Sequence, residues 1–252
     1  MYFSSKKILA GITSAIIFSG GIVGAPVFAA KTSVSVNVEV EQNRIDWDEG
    51  FVYAIGMSRR DERGVAMERE AAILSAQRHL VGTVQGARIN SETTMRDLIL
   101  GVDEVNRKIT GVIRGAQIID EHPLDGGGYY VKMCVPIYGV ESIAEAIVPA
   151  LVPETPKPFE NVETPSISRA EIREVQSAEY TGVIVDASGL GVEQTFSPVI
   201  YDTHGRAVYG IENLESEKVI ASGMVSYSEN TSDGAAVQRA GNNPLIVRAV
   251  EV

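Results

Sequence analysis

Valines at 34, 36, 38 and 40 alternate with Ser35, Asn37 and Glu39, the period of two that marks a strand with one buried face. A second strand is expected over Phe51–Met57, ended near Gly56, after the turn-forming run Asp46-Trp47-Asp48-Glu49-Gly50. The period then lengthens. Ala72, Ile73, Ala76, Leu80 and Val84 share one face of a helix predicted over 65–84, with Arg69, Gln77 and Arg78 on the polar side. Met95, Leu98, Ile99, Val102, Val105 and Ile109 form a second stripe at steps of three and four, which predicts one helix over 92–109 capped by Ser91 or Asn90. Strands at 116–121 and 129–137 follow, joined by a hairpin loop from His122 to Gly128, and a short helix at 143–148 closes the unit. The order β-β-α-α-β-β predicts an α+β fold: a two-layer arrangement of an antiparallel-rich sheet with two helices on one face.

Five of the ten prolines, at 149, 153, 156, 158 and 165, lie between residues 148 and 168. Spaced prolines favour extended backbone, so 149–168 is expected to be a semi-rigid linker. Beyond it, from 169, a smaller β-rich domain is predicted: a strand at 181–186 before the glycine turn Ala187-Ser188-Gly189-Leu190-Gly191, and a hairpin of 198–201 with 207–209. In that hairpin Gly205 takes the positive-φ place of Asp202-Thr203-His204-Gly205. Strands at 219–227 and 245–250 flank a helix at 233–240 capped by Ser232.

The first thirty residues change the compartment. Lys6 and Lys7 precede an apolar stretch from Ile8 to Ile22, and Val27-Phe28-Ala29-Ala30 offers a small-residue cleavage site, so 1–30 reads as a secretion signal and 31–148 as the first folded domain. No Cys follows the apolar run, so no lipid anchor is expected. No later stretch is long and apolar enough to span a bilayer. The sole cysteine, Cys134, sits in an apolar strand and is expected to be a buried, inert thiol. Loss of 1–30 takes two lysines and no acid, lowering the formal charge from −11 to −13. Such acidity disfavours nucleic acid and anionic lipid as partners and suits basic peptides, polyamines or divalent cations.

The chemistry-bearing residues form no recognised constellation. Asp46, Asp48 and Glu49 resemble the start of a calcium loop, but Gly50 and Met57 occupy the places of its fifth and twelfth ligands. His79, His122 and His204 have no His or Cys neighbour at zinc spacing; His79 is expected on a polar helix position and the other two in exposed loops. Val183-Ile184-Val185-Asp186 resembles the first strand of zinc-dependent cell-wall amidases, yet the turn after it carries no histidine. Dinucleotide, Walker A and nucleophile-elbow motifs are missing from the sequence. A hydrolase would need paired carboxylates, with Asp186 and Asp202 as the candidates. A carbohydrate- or metal-binding module is the further alternative. Neither catalytic, cofactor-binding nor metal-ligating residues are assigned.

Three stretches together, Ile45 to Gly56, Arg69 to Leu80 and Gly111 to Ala116, resemble the LPP-twenty-type lipoprotein family, whose domain is similar to the N-terminal domain of the flagellar assembly protein T, a periplasmic component around the flagellar motor. The likeness spans roughly 40–140. It implies an α/β envelope domain with two helices against a sheet and no catalytic residues to carry over. The segment from Tyr180 to Tyr209 also resembles one that accompanies this domain in exported proteins of no assigned activity. The expectation is an exported, periplasmic or extracellular, non-enzymatic envelope protein without a cofactor. Its role would be scaffolding or binding of other envelope proteins, with flagellar-apparatus assembly as one version.

Overall fold

The computed structural model describes residues 42–152, 179–228 and 238–252, and the chain is α+β. The alternating segment at 34–40, the linker prolines from 153 onward and the Ser232 cap lie outside the described residues. The main sheet is antiparallel throughout, in the order β1-β2-β4-β3, from β1 (Arg44–Asp46), β2 (Phe51–Met57), β3 (Gln117–Pro123) and β4 (Tyr129–Pro136). β1 was not expected from sequence; its three residues pair across the Trp47 turn with Phe51 to Tyr53.

Helix α1 (Val65–Gly86) lies on β2 and β4, and its expected face is the one that packs: Ala72, Ala76, Leu80 and Val84 are all buried. The two Ala positions have a reason. Gly56, next to last in β2 and so near its end as expected, sits where a side-chain Cβ would overlap the Ala72 carbonyl and the Ala76 backbone. Small residues on both elements let helix and strand backbones nearly touch. Val52 and Ala54 on β2, with Val131, Met133 and Val135 on β4, complete this core.

The second apolar stripe is carried by two helices rather than one: α2 (Met95–Gly101) and α3 (Asp103–Arg114). The break falls at Val102, which takes extended angles (φ −134, ψ 102). A weak helix former, Gly101, is followed there by a β-branched residue and then by Asp103 and Glu104, whose charges favour a helix start. Thr94, not Ser91 or Asn90, caps α2: its hydroxyl accepts from the Asp97 amide while Asp97 accepts from the Thr94 amide. Met95, Ile99, Val105 and Ile109 are nonetheless buried as the stripe requires.

α4 (Ile143–Ile147) runs into a 3-10 turn, Val148–Ala150, that includes Pro149. Further along the chain, β5 (Gly182–Asp186) pairs in parallel with β8 (Pro244–Arg248), and β6 (Ile200–Tyr201) forms a hairpin with β7 (Ala207–Tyr209), Gly205 at φ +76. The strand expected at 219–227 is instead helix α5 (Ser216–Ser222), stopped by Gly223 at φ +73 and followed by irregular chain. An apolar run this short fits either period. Packing chose the helix, because Val219 is buried with Met224 against Ala144 and Val148. The C-terminal residues also reach the main core: Phe196 belongs to it, meeting Trp47 edge-on at 4.8 Å, and its amide donates to the Arg88 carbonyl at 3.0 Å.

Candidate functional site

The carboxylates weighed for catalysis are occupied with local structure. Asp202 accepts from the amides of Arg206 and His204 and pairs with the Arg206 guanidinium at 2.6 Å; the Arg206 amide bond foremost, with the guanidinium and the His204 amide, holds its carboxyl down at about 2. Asp186 is hydrogen-bonded by Ser188, through its side chain and through its amide at 3.0 Å, and those bonds lower its pKa. The two therefore sit in separate turns, at the ends of different sheets, each ionised and each committed to its own turn. Asp61 is likewise held near 2 by Arg63. Depressed values suit a structural anion, whereas a general acid needs a raised one.

Among the described residues Glu68 is the one buried acid, and it accepts the Asp61 amide at 2.9 Å and the Gly128 amide at 3.1 Å. It ties the loop before α1 to the β3–β4 hairpin. Asp46 accepts the Glu49 amide, and Glu49 accepts the Tyr53 hydroxyl at 2.6 Å, a bond that pushes the Tyr53 pKa up to about 12. Burial does the same for Tyr138, also to about 12. Cys134 is buried on β4, and burial pushes its thiol up, away from the reactive thiolate.

The histidines are scattered. His79 lies on α1 with Nδ1 2.5 Å from the Ile55 carbonyl, so it closes the edge of β2 rather than facing only solvent. His122 belongs to β3, not to a loop, and stacks on Tyr130 at 4.7 Å. His204 is in the exposed β6–β7 turn, as expected. Among the described residues no three His, Cys, Asp or Glu side chains gather to hold a metal ion.

Two concave places stand out. One, at the edge of β2, is lined by Gln42, Asn43, Ile55, Met57, Ser75 and His79. Asn43 accepts the Ile55 amide there at 2.8 Å, so Asn43 and His79 between them satisfy the backbone of Ile55. The other is a trough of about 280 Å³ between α1 and α3. Leu74, Val81, Ile99, Ile109 and Ile113 supply its apolar surface; Gln77, Gln85, Asn106 and Thr110 supply amides and a hydroxyl; Arg78 comes from α1 and Arg114 from α3. No acid lines it. Among the described residues Arg78 and Arg114 make no ion pair or side-chain hydrogen bond, whereas Arg69, nearer the start of α1, is clamped by both oxygens of Glu121.

The trough is the best-defined candidate site, and most of its residues carry no motif. The sequence pattern puts Arg78 on the polar side of its helix and singles out neither Leu74 nor Arg114. The available signal is a second, weaker stripe on α1, Leu74, Arg78, Val81 and Gln85, at steps of four, three and four.

Residues 182–252 match a family model described as Treponema pallidum Tp0624, second domain. The match opens on the first residue of β5 and takes in the β6–β7 hairpin, α5 and β8. It leaves the trough and the main sheet outside. No curated protein matches the chain.

Proposed function

We propose that this chain is an exported, non-enzymatic protein of the cell envelope that acts by binding another envelope protein, with assembly of the flagellar apparatus as one setting. The observation that carries the binding reading is the trough between α1 and α3, apolar along its floor and free of acid in a strongly acidic chain. The three stretches that resemble the LPP-twenty-type family support it further, since they fall on the Trp47 turn with β2, on α1, and on the end of α3. In this reading residues 1–30 are removed on export and the sheet with its helices forms an envelope domain. A Pro-rich spacer at 149–168 then leads to a smaller β-rich unit.

Cell fractionation with N-terminal sequencing tests the export step. The protein is expected outside the cytoplasm, beginning at or near Lys31; recovery of the uncut chain from the cytoplasm would end the proposal. The flagellar version has a separate test. Deletion of the gene should abolish swimming while flagellin export continues, and unchanged swimming would remove that version.

A further inference from the structure

We propose that the trough between α1 and α3 receives an acidic amphipathic helix of another protein. This rests on the reading of the chain as a binding protein, and it names the chemistry of the partner.

The walls are themselves helices, so their backbone groups are bonded internally and offer no edge for an added strand. Whatever binds there must satisfy its own backbone and engage side chains, which is what a helix laid in a groove does. From Leu74 to Gln85 the α1 wall advances roughly 16 Å, about three helical turns. An occupant of that length presents anchors at i, i+4, i+7 and i+11. Leu74 is 48% exposed and Val81 36%, so apolar surface now in water would be covered by those anchors.

Charge selects the sign of the partner. The chain has 33 acidic and 22 basic residues, yet the trough carries one arginine on each wall and no carboxylate. A helix with glutamates or aspartates flanking its apolar stripe would pair with both guanidiniums, a geometry suited to two-point hydrogen bonding. A basic helix would leave all its charges unmatched there. A single-chain anionic amphiphile has one head group, which answers neither the arginines on opposite walls nor the amides of Gln77, Gln85 and Asn106.

The test uses the purified full chain and fluorescein-labelled peptides of roughly 14 residues, each with leucines at i, i+4, i+7 and i+11. One peptide carries flanking glutamates, one lysines, and one is a scramble of the glutamate form. Anisotropy should report saturable binding of the glutamate peptide only. The double variant Arg78→Glu, Arg114→Glu should weaken it at least tenfold and bring the lysine peptide into binding. Leu74→Asp, at a half-exposed position, should lose the glutamate peptide while keeping the wild-type circular dichroism and melting temperature. Sodium decanoate and phosphatidylglycerol vesicles are run as competitors. The proposal is overturned if the glutamate peptide fails to bind, if the scramble binds equally well, or if charge reversal leaves affinity unchanged. It is overturned equally if decanoate or the vesicles bind at the trough and the glutamate peptide does not.

Discussion

Single atoms decide two features of this molecule. At Gly56 a methyl group would collide with the backbone of α1 and not with a side chain that can turn away, so relief requires the helix to shift off the sheet. Gly56→Ala should therefore cost about 3 kcal/mol, at the upper end for overpacking, seen as a lower urea midpoint with an unchanged slope. Asp202 gives a pH-dependent counterpart. Its folded pKa, about 2, lies below the ordinary carboxylate value. The stabilisation it provides is complete above pH about 4 and is lost as pH falls from there. Wild type should exceed Asp202→Asn in urea midpoint at neutral pH, and the gap should close between pH 4 and 2. A gap that persists to pH 2 would show that the Arg206 and His204 bonds are not what holds this turn. Neither feature was legible as such. The sequence puts Gly56 near a strand end without saying which backbone will approach it, and it offers Asp202 as a catalytic acid because nothing in it shows that the amides of Arg206 and His204 turn back onto that carboxylate.

At the level of elements, apolar periodicity placed β2, α1, β4 and α4 close to where they form, because each buries residues that impose its own period; β3 and β5, which bury no residue, also form close to the predicted positions. It failed where the period was short or interrupted. The stripe from Met95 to Ile109 is continuous in side chains but not in backbone, since extended angles at Val102 separate two helices that bury the same face. The start of α2 then depends on its own capping box. Thr94→Ala should cost about 1 kcal/mol and weaken amide-exchange protection over Met95–Gly101 more than over α3, as hydrogen exchange would show. Equal loss in both helices would mean that they form as one cooperative element. α5 shows the opposite failure: seven residues with one buried valine take their conformation from the surface they meet, here α4 and the 3-10 turn after it.

For the molecule as a whole, the sole tryptophan is also a junction. Trp47 lies between Phe196 at 4.8 Å and Tyr227 at 5.9 Å, so the turn joining β1 to β2 is roofed by residues from the C-terminal part of the chain. Phe196→Ala should cost about 3 kcal/mol and shift the Trp47 emission to longer wavelength in the folded state. An unshifted spectrum would show that this roof does not shield the ring. The sequence by itself determined the α+β class, the face that α1 buries and the acidity, because each depends on local composition or on a period within one element. Tertiary structure alone decided the parallel pairing of β5 with β8, the roof over Trp47, and the placing of Arg78 and Arg114 on the two walls of one trough. These join residues tens of positions apart, and no local period encodes which distant surface an element will meet.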